Sequence, residues 1–136
     1  GFSVHLPLND NVAFGSDLSA MHETMRLWNI YGQYQLENPI LNDTWTSFLL
    51  GYSDLNDMGA GEKFRGLFTG LHFTRLFREN WQAHTAGRVY VYPERIAVSG
   101  ETGFQYFVNS NLSFELTYKL HSLGTSGLTI GTGVRF

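Results

Sequence analysis

The chain has no cysteine, which excludes disulfides, thiolate metal sites and cysteine nucleophiles. Charge is scarce: nine Lys+Arg and twelve Asp+Glu amount to 15% of 136 residues. Ordinary soluble domains carry roughly 25%. A net charge of −3 with no basic cluster argues against a nucleic-acid partner. No apolar run reaches about 18 residues, so no transmembrane helix is expected. The N-terminus shows no basic stretch followed by an apolar core, so an exported protein would be met here in its mature form. Proline is rare, at three residues. What is abundant is glycine (15) and aromatics (11 Phe, 7 Tyr, 3 Trp). The chain is too apolar and aromatic to be disordered, and its length favours a single domain over 1–136. Two classes suit an aromatic, Gly-rich, charge-poor chain that is never continuously hydrophobic. One is a soluble all-β barrel or sandwich; the other is a transmembrane β-barrel.

Period-two alternation runs through most of the chain. In 128–136, Leu128, Ile130, Thr132, Val134 and Phe136 oppose Thr129, Gly131, Gly133 and Arg135. In 112–121, Leu112, Phe114, Leu116, Tyr118 and Leu120 oppose Ser113, Glu115, Thr117, Lys119 and His121. The same alternation predicts strands over 96–108, 81–92, 64–77, 44–53 and 25–36, and a first strand over 2–8 that Pro7 weakens. The total is eight strands. Arg75 falls on the apolar face of 64–77, near one end, where it would have to snorkel. Segments 9–24 and 53–63 read as long polar loops, while 78–80 and 109–111 read as matching three-residue turns. Long loops at one end and short turns at the other suit an outer-membrane barrel, with 37–43 as an exception.

A three-residue turn at 109–111 pairs Tyr106 with Phe114 and Phe104 with Leu116. On the other face it sets Gln105 opposite Glu115 and Glu101 opposite Lys119. A four-residue loop at 93–96 would set Arg88 opposite Glu101, and the last hairpin would pair Leu112 with Phe136 and Ser113 with Arg135. Opposite charges thus meet on the polar face. That face carries mostly Ser, Thr, Gly, Gln, Ala and Tyr. It is poor as a water-facing surface and suited to a narrow, hydrogen-bonded lumen. The apolar face suits lipid, with Trp28, Tyr34, Phe77, Trp81, Tyr106 and Phe136 as an interfacial aromatic girdle. The expected fold is an all-β, antiparallel, up-and-down transmembrane β-barrel.

The ending Thr129-x-Gly131-x-x-Val134-x-Phe136 resembles the C-terminal signature of bacterial outer-membrane β-barrels. The hairpin GFQYFVNSNLSFELTY (103–118) is similar to the penultimate hairpin of small barrels such as the OmpA membrane domain and OmpX. The resemblance covers about the last 35 residues; elsewhere the agreement is one of pattern. It implies a Gram-negative cell envelope, an outer-membrane location with both termini periplasmic, and an assembly signal at Thr129, Gly131, Val134 and Phe136 read by the barrel assembly machinery. Outer-membrane lipid or lipopolysaccharide, and an envelope protein, are the partners to expect. It says little about function, because one barrel type hosts anchors, adhesins, channels and lipid enzymes.

The most organised polar set is Arg88, Glu101, Glu115, Lys119, Arg135 and His84. It reads first as a structural ion-pair network that fills the lumen, and second as a gate whose Glu101–Lys119 pair could open. The five histidines (5, 22, 72, 84, 121) show no metal-ligand spacing, and no cofactor motif is present. Gly59-Ala60-Gly61-Glu62-Lys63 lacks the spacing of a phosphate loop and reads as a flexible loop. His121-Ser122 suggests PagL-type lipid A deacylases, but the resembling motif there holds one residue between His and Ser. Here the two are adjacent and point to opposite faces, and no Glu follows on the last strand. The expected role is therefore non-enzymatic: a structural or accessory barrel acting through loops 9–24 and 53–63 or through a membrane-embedded partner. A narrow channel is the next reading, and a lipid A-modifying enzyme the third.

Overall fold

The structure is a computed structural model and describes residues 2–20, 24–36, 43–110, 112–123 and 125–134. Nine strands follow one another: β1 (Phe2–Pro7), β2 (Val12–Ala20), β3 (Met25–Gln35), β4 (Thr44–Asp57), β5 (Glu62–Arg78), β6 (Trp81–Tyr92), β7 (Arg95–Phe107), β8 (Leu112–His121) and β9 (Thr125–Val134). Each pairs antiparallel with the next in chain order, so the sheet is up-and-down throughout. Among the described residues there is no helix. The sheet curls until β1 and β9, the two ends of the strand order, stand within 8 Å of each other (Cα–Cα).

The ninth strand comes from the segment expected as the loop 9–24. Val12–Ala20 instead forms β2, paired along its whole length with β3 and over Ala13–Leu18 with β1. Its alternation is muted: Phe14, Ser16, Leu18 and Ala20 face out, while Ala13, Gly15, Asp17 and Ser19 face in. The other supposed long loop, 53–63, is strand at both ends and leaves only 58–61 as a turn. There the Asp57 carboxylate accepts from the Gly59 and Ala60 N–H groups, and Gly61 takes the left-handed conformation (φ 69°) that suits glycine. The turn expected over 78–80 contracts to Glu79-Asn80, with a register shift between Leu76 and Arg78. Connections are thus short at both ends of the sheet, apart from 36–43, of which residues 37–42 lie outside the described ones. An odd number of strands also sets Phe2 and Val134 running toward opposite ends, so the expected pairing of both termini on one side does not follow from the strand count.

Two hairpins are displaced by two residues from the expected register. Arg88 stands opposite Ser99 rather than Glu101, because Tyr92 pairs with Arg95 across a tight Pro93-Glu94 turn. Leu112 stands opposite Val134, not Phe136, and Ser113 opposite Gly133, not Arg135. Residues 135 and 136 themselves lie outside the described ones. A shift of two keeps every side chain on its face, whereas a shift of one would have inverted them. The β7–β8 register is as expected, with Glu101 opposite Lys119 and Gln105 opposite Glu115.

The faces are inverted relative to a water-soluble barrel. Leu50, Leu67, Ile96, Val98, Phe114, Leu116, Leu120, Leu128 and Ile130 are exposed on the convex face, Leu50 at 67% and Ile96 at 70%. Asp17, His84, Arg88 and Lys119 are buried on the concave face, Arg88 and Lys119 at 5% exposure each.

Candidate functional site

The interior has two halves. The end of the sheet that holds the connections after β2, β4, β6 and β8 is filled by Leu27, Leu55, Phe64, Phe68, Tyr90, Tyr92 and Ala97. We call it the plug end. Its rings form a column: Tyr31 on Phe68 (6.1 Å between centroids), Phe68 on Tyr90 (5.3 Å), Tyr90 stacked on Tyr92 (6.0 Å) and Tyr92 on Phe64 (5.9 Å). The hydroxyls are satisfied, Tyr92 with Ser53 at 3.1 Å and Tyr90 by accepting from Ser99 at 3.3 Å. Arg95 closes the outside of this column, with its guanidinium 4.3 Å from the centre of the Phe64 ring.

Beneath the plug lies the charge cluster. Arg88 donates to Asp17 (3.0 Å) and to Glu101 (2.9 Å). Lys119 approaches Glu101 at 3.2 Å and Asp17 at 3.6 Å, and donates to Ser19. Asn29 donates to the same Asp17 carboxylate at 2.8 Å. Two cations and two carboxylates therefore alternate in one ring of contacts with no net charge. Such closure is what low-dielectric burial requires of ionised groups. The Arg88 guanidinium also stands 5.5 Å from the Tyr31 ring centre and 5.7 Å from that of Phe68, which joins the cluster to the plug. Gly15 makes room for this layer, since a Cβ there would overlap the Tyr31 ring.

On the far side of the cluster a cavity of about 300 Å³ continues toward the other end. Its walls mix polar side chains, among them Gln33, Gln82, His72 and Ser113, with apolar ones such as Trp45, Leu49 and Phe107, and it reaches Ser110 in the β7–β8 connection. His84 sits in this wall, 3.4 Å from the Glu115 carboxylate and 3.0 Å from the Thr117 hydroxyl, which itself donates to Glu115 at 2.6 Å. The concave side thus holds a part-polar cavity with a charged floor and an aromatic plug behind it.

The structure brings Arg88, Glu101 and Lys119 into one cluster and places His84 with Glu115 beside it. Arg135, the sixth expected member, lies outside the described residues. Asp17 was missed, because the segment carrying it did not read as a strand; its alternation with Gly15 and Ser19 was the available signal. Of the expected girdle, Trp28 is exposed near the plug end, and Tyr34, Phe77, Trp81 and Tyr106 are exposed near the cavity end. There Trp81 packs on Phe77 and Tyr106. Thr129 lines the cavity, Gly131 and Val134 lie in β9, and Phe136 and His22 are outside the described residues. His121 and Ser122 are turned to separate tasks. The Ser122 hydroxyl accepts from the Val98 N–H, and the His121 ring packs against Tyr90 with its Nε2 unpartnered among the described residues. That geometry offers no activated hydroxyl. No group of three or more metal-ligating side chains occurs among the described residues. Comparison with protein-family models, with curated proteins and with solved structures gives no match to the chain.

Proposed function

We propose that the chain is a transmembrane β-barrel of a Gram-negative-type outer membrane, with a structural or accessory role and a lumen locked by ion pairs. The observation that carries this reading is the inversion of the faces. Large apolar side chains cover the convex surface on every strand from β1 to β9, while ionised groups are buried within. Monomers in water rarely expose more than a few hundred Å² of contiguous apolar surface; lipid reverses the rule. The vertical scale agrees. From Leu67 to Phe77 the outward row of β5, which carries Arg75 near its cavity end, spans ten residues, about 33 Å of strand, and a tilt of about 40° reduces this to about 25 Å of height. Trp28 and the Tyr34–Phe77–Trp81–Tyr106 group then fall near the two interfaces. Outer-membrane lipid surrounds this band, and the barrel assembly machinery is the partner that the C-terminal signature implies.

The part-polar cavity favours a narrow channel as the second reading, because it crosses half of the lumen. Conduction would require Tyr90, Tyr92, Phe64 and Phe68 to leave their column and the Arg88–Glu101–Lys119–Asp17 ring to open. The locked form is therefore preferred.

The test is a carbonate wash of membranes from cells expressing the chain, followed by SDS gels of unboiled and boiled extract. A pellet-bound protein whose band shifts on boiling is expected. A freely soluble protein with no heat shift would refute the membrane reading. In planar bilayers the wild-type protein should be silent, and Phe68→Ala/Tyr90→Ala should stay silent while the ion-pair ring is intact and conduct only when Asp17→Asn and Glu101→Gln are added. Wild-type conductance abolished by Lys119→Met would turn the reading to a channel.

A further inference from the structure

The outward rows of β3, β4 and β5 change character abruptly at the plug end. Ile30, Tyr52 and Leu67 stand side by side as the last wholly apolar row. The next row is Trp28, Asp54, Arg65, and the one beyond it is Arg26, Asn56, Lys63. Neighbouring strands lie about 4.8 Å apart, so the Arg26 and Lys63 backbones are about 10 Å apart with Asn56 between them; Arg65 is about 7 Å from Lys63 along β5. Arg26, Lys63 and Arg65 are all exposed. Arg65 is tied to Asp54 at 2.8 Å. The other nearby acids are turned away, Asp57 into its own turn and Glu62 toward Arg95. No carboxylate lies within salt-bridge reach of Arg26 or Lys63 among the described residues. Among the described residues, three cations and one carboxylate on this face leave two positive charges around a central amide, immediately beyond the apolar surface and above Trp28 and Tyr52.

We propose that Arg26, Lys63 and Arg65 form a binding site for the phosphomonoester headgroup of a membrane lipid. The inference rests on the membrane reading above, which sets the acyl chains beside Trp28, Tyr52 and Leu67. The charge selects the ester: a phosphomonoester carries about −1.5 to −2 near neutral pH and matches two uncompensated cations. A phosphodiester carries one charge and leaves half of the patch unmet. Arg26 and Lys63 reach in from either side of Asn56, whose amide donates to a phosphate oxygen held between them. At the other end of the sheet the outward Arg75 has no such neighbours on adjacent strands, since its row is Thr44, Arg75, Ala83 and Phe104.

The test begins with folding into pure phosphatidylcholine vesicles, scored by the heat-dependent gel shift. Failure to insert would refute the membrane reading and this site with it. For inserted protein, native mass spectrometry then compares retention of phosphatidic acid, phosphatidylglycerol and phosphatidylcholine. Phosphatidic acid should be favoured over phosphatidylglycerol by about fivefold, the effect of one further charge near a membrane surface. R26Q/K63Q should lower phosphatidic acid retention by roughly thirtyfold, and R78Q, at the opposite end, should leave it unchanged. Equal retention of the three lipids by a protein that inserts, or an equal loss in R78Q, would overturn the site and leave the membrane reading standing. Displacement by inorganic phosphate at matched concentration would also overturn it, by assigning the patch to free anions.

Discussion

At the scale of single residues the lumen depends on Asp17. It accepts from Arg88 and Asn29 and faces Lys119, so it is the only carboxylate besides Glu101 that balances the two buried cations among the described residues. Asp17→Asn keeps the size and leaves one uncompensated positive charge in the interior. Breaking one partner of a buried pair costs about 3–5 kcal/mol. Denaturant unfolding of the folded protein in detergent should show a loss of that order. Asp17→Asn/Lys119→Met removes one charge of each sign and should recover most of it. If the double variant is no more stable than Asp17→Asn, the balance of charge is not what holds this layer. The same residue marks where the sequence was hard to read. Glu101, Glu115 and Lys119 sit on strands whose other face is aliphatic or aromatic, so their side was plain. Asp17 sits among Gly15, Ser16 and Ser19, where small residues on both faces blur the period.

At the scale of elements, strands with strong contrast between faces were legible, and the spacing of connections was not. β3 to β9 fall on the expected alternating segments, with β4 running on to Asp57, β9 beginning at Thr125 and 135–136 outside the described residues, because burying one face and exposing the other fixes a period of two. The register slips in the β6–β7 and β8–β9 hairpins are both of two residues, as turn length is weakly encoded while face is strongly encoded. The Arg88–Glu101 bond nevertheless forms at 2.9 Å, since an arginine reaches the diagonal neighbour across a strand pair. The outward faces give a direct test of which solvent they meet. Leu50→Lys puts a charge midway along the exposed row of β4, between Phe48 and Tyr52. In a bilayer it should weaken folding by about 2–4 kcal/mol, read by denaturant titration in vesicles. A protein that becomes more soluble and no less stable would mark that face as water-exposed.

At the scale of the whole molecule, nine strands have a consequence that eight would not. β1 and β9 run in the same direction, and among the described residues no ladder joins them, although they stand side by side. In the membrane setting proposed above, unpaired backbone N–H and C=O groups would cost several kcal/mol each, and in any solvent this boundary lacks the hydrogen bonds that join every other neighbouring pair. The seam is therefore the least stable part of the sheet. It is also lopsided, with six residues in β1 against ten in β9. The opposite wall is built from β4 and β5, of 14 and 17 residues, which pair from Thr44 with Arg75 to Asp57 with Glu62. Both strands also carry the plug, through Leu55, Phe64 and Phe68, with Leu49 buried just below it. Local opening follows local pairing and burial. Hydrogen–deuterium exchange on the folded protein in detergent should thus be fastest in β1 and β9 and slowest at Leu49–Leu55 and Phe64–Phe68. Exchange that begins at the β4–β5 hairpin instead would place the weak wall on the plug side. The aromatic column, rather than the β1–β9 seam, would then be the part of the lumen able to move.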